Sequence, residues 1–174
     1  MPDSALPTPS AVGLAAASGD PIKFRGIIQR SDWKITPVPA QHVGFMQTMT
    51  FAKITDGTSK TLLVAEKRVA PSLYEPTSDN STPGDNRGWA DGWDYDQLRS
   101  TMFPLEPDGD GPGLVILHTD RWNAFNYQFG SAHPGGMNAI FADGSVTSIS
   151  FDIDRETFNR LGGRADGEAI SQSY

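Results

Sequence analysis

Two apolar stretches flank an Asp-Gly pair near the C-terminus, and this feature constrains the fold more than any other. The stretches are Met137 to Ala142 and Ser145 to Phe151, with Asp143-Gly144 between them. Asp-Gly tolerates positive φ at both central turn positions, so the pattern predicts a hairpin closed by a two-residue type I′ turn. Asp154 then opens a short helix over Arg155 to Leu161, which Gly162-Gly163 stops.

Other segments read as further strands. Ile22 to Ile28 and Gln47 to Lys53 alternate, and Leu114 to Leu117 and Trp122 to Phe129 form a second candidate pair. Ile54 to Thr61 is a polar turn with one helical turn capped by Asp56 or Thr55. Leu62 to Glu66 is too short for a helix and apolar on both faces, which predicts a central strand covered on two sides. From Ala70 to Pro112 the chain is polar and irregular, with interleaved aromatic residues that argue for an ordered loop. Residues 1–20 read as a flexible arm ahead of a single head over residues 21–174. The expected fold is mainly β: an antiparallel sheet or sandwich with a long structured loop and one short C-terminal helix.

Composition removes several functions. The chain of 174 residues has no Cys, which excludes a disulfide framework, a thiolate zinc site and a cysteine nucleophile. Its 14 Lys and Arg against 21 Asp and Glu give a net charge of -7 with no basic stripe, which argues against a nucleic-acid partner. No apolar run approaches the ~20 residues that span a bilayer, so no membrane span is expected in this chain.

The residues that carry chemistry are few. His133 and Asp143 do not make a convincing dyad, because a strand between them separates the two by about 20 Å. Asp143-Gly144 is explained by turn chemistry, and His133 before Pro134-Gly135-Gly136 by fixing the entry to the hairpin. Glu66, at the end of a strand read as buried, requires a partner, with Arg87 or Arg99 expected. A catalytic alternative uses Glu66 as general acid with His133 and Ser131, since residues two apart on a strand share a face. There is no nucleophile elbow of the G-x-S-x-G type.

Asp91, Asp94, Asp96, Asp108 and Asp110 lie in Gly- and Asp-rich loop segments that suit calcium, which takes six to eight oxygens. The simpler reading is solvated turn residues, because neither segment follows the twelve-residue calcium loop. Trp89, Trp93, Tyr95 and Trp122 suit either a core or a sugar-stacking platform.

Three ordered segments carry a resemblance: Ile54 to Lys67 (ITDGTSKTLLVAEK), Gly88 to Asp108 (GWADGWDYDQLRSTMFPLEPD) and Phe129 to Asp154, in which His133 precedes Asp143-Gly144 by nine intervening residues. Together, over roughly residues 22–170, they resemble the prepilin-like proteins abundant in planctomycetes and related bacteria, a family of unknown function with such a C-terminal box. The resemblance implies a β-rich head, here without the prepilin helix, placed outside the cytoplasm or at the cell surface. It implies a non-catalytic role in contact with a protein or polysaccharide surface. Calcium, used by pseudopilin heads of related secretion systems, is the implied cofactor by analogy. Two alternatives stand beside it: a hydrolase of extracellular glycans, esters or lactones, with or without a metal, and a carbohydrate-binding module.

Overall fold

The computed structural model describes residues 26–28, 31–34, 41–45, 48–75, 99–109, 128–168 and 170. Among the described residues the strands are β1 (Ser31–Lys34), β2 (Gln41–Phe45), β3 (Leu62–Ala65), β4 (Glu106–Pro107), β5 (Gly130–Ser131), β6 (Gly136–Phe141) and β7 (Val146–Ser150), and the α-helix is α1 (Arg155–Leu161). The described chain is mainly strands, with an antiparallel sheet in the order β3-β6-β7. β1 pairs antiparallel with β2, and β4 pairs parallel with β5.

The hairpin forms where the Asp-Gly pair places it. Met137, Ala139 and Phe141 point into the core, while Asn138 and Ile140 point outward. Gly136 allows close packing, because a Cβ there would lie 2.1 Å from the Ile149 carbonyl oxygen. The turn differs from the expected one. Phe141 O accepts from Gly144 N–H and Phe141 N–H donates to Ser145 O, both at 2.9 Å, so the loop has three residues, Ala142 to Gly144. Gly144, at φ 85°, is the left-handed residue that follows the turn and forms the bulge. The Asp143 carboxylate accepts from Ser145 N–H at 2.9 Å and from Ser145 Oγ–H at 2.6 Å.

β3 is not the central strand that its apolar run predicts. It pairs with β6 alone inside the sheet, and β6 is central. The register shifts between Leu62 and Val64, so Leu62 faces the core while Val64 faces outward. A bulge makes consecutive apolar residues compatible with one covered face. Past Ala65 the chain changes partners, and Lys67 bridges antiparallel to Phe129.

α1 matches the sequence reading from end to end. The Asp154 carboxylate accepts from Thr157 N–H at 2.9 Å and caps the helix, which ends before Gly162. Phe158 and Leu161 are fully buried with Leu62, Leu105, Met137, Ala139, Phe141 and Ile149. The Phe129 ring meets Phe158 edge-on at 5.9 Å between centroids. The sheet therefore has one face on this core and one face outward.

Two expected strands fail. Thr48–Thr50 has no strand pairing, and Phe51–Lys53 is a 3₁₀ turn held by Lys53 N–H to Thr50 O and Ile54 N–H to Phe51 O. Of Ile22 to Ile28, the described residues 26–28 form a bend and not a strand. The strand expected at Leu114 to Leu117 lies outside the described residues, as do residues 1–20.

Candidate functional site

Glu66 sits where the chain leaves β6 for the segment before β5. Its N–H donates to Asn138 O and its carbonyl accepts from Gly130 N–H, each at 3.2 Å. The backbone is thus held from both sides, which fixes the direction of the side chain. Glu66 Oε2 accepts from Asn138 N–H at 2.6 Å, and Oε1 lies 3.2 Å from His133 Nε2. Asn138, on the outer face of β6, adds its carboxamide nitrogen 3.1 Å from the same His133 nitrogen. The His133 side chain is 55% exposed and that of Glu66 37%.

The burial expected for Glu66 is therefore corrected, and so is its partner. Among the described residues its carboxylate meets His133 and Asn138 rather than Arg99, and Arg87 lies outside the described residues. The outward turn of Val64 explains this, since Glu66 follows two residues later on the same outer face.

Ser131 has a different task. It is 4% exposed; its hydroxyl donates to Gly136 O at 2.7 Å and accepts from His133 N–H at 3.1 Å. These bonds close the Ser131-to-Gly136 loop and present the imidazole of His133 outward. The serine hydroxyl is engaged with backbone atoms, and the contact to His133 is through the backbone, not the ring. A carboxylate, an imidazole and a carboxamide meet here.

A second polar cluster anchors the loop around β4. Arg68, buried, donates through Nε to Pro107 O at 2.9 Å and through Nη1 to Gln128 Oε1 at 2.7 Å, and lies 3.0 Å from Glu106 Oε2. Asp108, one of the candidate calcium ligands, accepts from Val69 N–H at 2.9 Å and from Tyr74 OH at 2.5 Å. Gly130 is required at this crossing, because a Cβ there would lie 2.2 Å from Glu106 O. These contacts fix residues 66–69 against β4 and β5, behind the Glu66 site.

Asp91, Asp94, Asp96 and Asp110 lie outside the described residues, as do Trp89, Trp93, Tyr95 and Trp122. Among the described residues no group of three His, Cys, Asp or Glu side chains is assembled for a metal ion, and no helix is long and apolar enough to cross a membrane. Asn138 was the residue that sequence reasoning missed. Its only signal is a polar side chain on an outward position of a half-buried strand, five residues after His133.

Beside the polar group runs an apolar row. Val64 pairs with Ile140, and Ile140 with Val146, so the three side chains cross the sheet in register. They are 49%, 38% and 68% exposed. Asn138 pairs with Ser148 in the next outward row, alongside Glu66.

A family model described as a protein of unknown function, DUF1559, matches residues 9–156. No curated protein and no solved structure matches the chain.

Proposed function

Because the chain belongs to the family of proteins of unknown function DUF1559, its role has to be read from its own residues, and we propose that it is a non-catalytic, pilin-like head that docks on another protein. The observation that carries this reading is the exposed row Val64, Ile140 and Val146. Single exposed apolar residues are ordinary, but three neighbours in register make a continuous patch of the kind found at interaction sites. The adjoining stripe of Glu66, Asn138 and Ser148 supplies a polar rim, as in protein interfaces. A protein partner suits this apolar row better than a polysaccharide, whose stacking residues would be the aromatics of the long loop. The cell-surface location and the calcium stabilisation implied by the resemblance belong to the same proposal.

A second reading rests on the contact between Glu66 and His133. A carboxylate that orients an imidazole is the core of a general base, and a hydrolase of glycans, esters or lactones would use it. Two observations count against it: both side chains are open to water, where electrostatic preorganisation is weak, and the Ser131 hydroxyl is tied to the backbone.

The separating experiment assays wild type and His133→Ala on ester, lactone and polysaccharide substrates, beside photo-cross-linking from position 146. Turnover that disappears with His133 overturns the docking reading. A protein adduct from position 146, with no such turnover, supports it.

A further inference from the structure

We propose that Glu66, His133 and Asn138 form a surface site for a divalent first-row transition ion, with zinc as the probe. The argument begins with a conflict at one atom. His133 Nε2 lies 3.2 Å from Glu66 Oε1 and 3.1 Å from Asn138 Nδ2. A ring nitrogen holds one proton or one lone pair, so with the amide in this orientation it satisfies only one of these neighbours at a time. With a proton it donates to Glu66 and opposes the amide N–H; without one it accepts from Asn138 and opposes a carboxylate oxygen.

Rotating the Asn138 amide by half a turn places its carbonyl oxygen where the nitrogen stands, with no change in the space the side chain fills. Three lone-pair donors, one of them anionic, then stand together, with Glu66 Oε1 3.2 Å and the Asn138 amide atom 3.1 Å from His133 Nε2. A cation among them satisfies all three at once.

The spacing fits. Zinc bonds to His nitrogen and carboxylate oxygen at about 2.0–2.1 Å, which puts neighbouring donors of a tetrahedron about 3.3 Å apart. Nothing large has to move, because each donor is already held. Glu66 is hydrogen-bonded on both sides of its backbone, and Asn138 N–H takes Oε2, leaving Oε1 for the ion. The Ser131 hydroxyl fixes the His133 loop.

The donor set is one nitrogen and two oxygens, and exposure leaves room for water ligands. Imidazole selects zinc, nickel or copper over calcium, which takes an all-oxygen shell. No third His, Cys, Asp or Glu joins the group among the described residues, so the carboxamide completes it. The site stands on the outer face beside the apolar row and would add a coordinate bond to any partner that offers a donor.

The test is calorimetric titration of the whole chain with zinc, repeated with Glu66→Gln, His133→Gln and His42→Gln. Glu66→Gln keeps an oxygen for Asn138 N–H, and melting curves verify that each variant is folded. The expected result is saturable one-to-one binding that weakens at least about tenfold in the Glu66 and His133 variants. His42→Gln binds as wild type does, and calcium does not compete. Absence of saturable binding overturns the proposal, as does equal binding by wild type and folded His133→Gln. These outcomes do not depend on the docking reading, since no partner is present.

Discussion

Glu66 Oε1 and His133 Nε2 lie 3.2 Å apart although 67 residues separate them in the chain. The contact exists because the chain at Glu66 is bonded both to β6 and to β5, while the loop between those two strands carries His133. Glu66→Ala should therefore lower stability by about 1 kcal/mol, the usual contribution of one hydrogen bond, because Asn138 N–H loses its acceptor. Glu66→Gln should lower it less. Urea midpoints of the two variants at neutral pH measure the difference, and equal loss would mean that the Asn138 bond contributes nothing.

Gly144→Ala should cost about 1 kcal/mol. Space is not the reason, since a Cβ there meets nothing within 4 Å. The cost comes from φ 85°, which alanine adopts poorly. Asparagine at the same position should recover part of the loss, because it tolerates the left-handed region. Chemical denaturation of the three proteins checks the order glycine, asparagine, alanine.

The acid limb of the stability profile should carry the sign of two turn carboxylates. Ser145, through its hydroxyl and then its N–H, holds Asp143 below its ordinary value of 3.8, and the Thr157 N–H does the same for Asp154. A depressed carboxylate contributes stability above its unfolded value, and the contribution is lost as pH falls through the folded value. Asp154→Asn keeps the cap without the charge, so its stability should fall less steeply below pH 3.8. Denaturant midpoints collected through that range measure the slope.

Asp166 should behave in the opposite sense. Burial, with the neighbouring Asp56 carboxylate, raises its value above 3.8. The folded chain then holds a proton that the unfolded chain releases, so stability declines as pH rises from 3.8 through the raised value. Asp56 is fixed there because it accepts from Asp166 N–H at 2.7 Å and Gly167 N–H at 3.0 Å. Asp166→Asn removes the second charge, and its melting temperature at neutral pH should exceed that of wild type. A lower value would show that the Asp166 charge is not destabilising.

The hairpin and α1 were legible in the sequence because their signals are local. The Asp-Gly pair and the Asp154 cap each lie within a few residues of the structure they specify. The turn was only half legible: Asp-Gly suits both a type I′ turn and a three-residue loop with a glycine bulge, and the bonds of Phe141 decide between them. β3 was misread because the bulge at Leu63 breaks the alternation that sequence reasoning counts. Glu66 and His133 were grouped only in the catalytic alternative, while the partner expected for Glu66 was an arginine; their direct contact depends on where the chain changes partners after Ala65. Asn138 carries no chemical signature of its own.

The docking face is tested most directly by a photo-cross-linking residue at position 146, in the protein as its source cell makes it. Glu156, also exposed but on α1, is the control position. The account predicts a discrete protein adduct from position 146, none from position 156, and loss of the adduct when Val64 and Ile140 are changed to serine in a chain that still melts cooperatively. Equal labelling from positions 146 and 156, or an adduct unchanged by the serine pair, would contradict it.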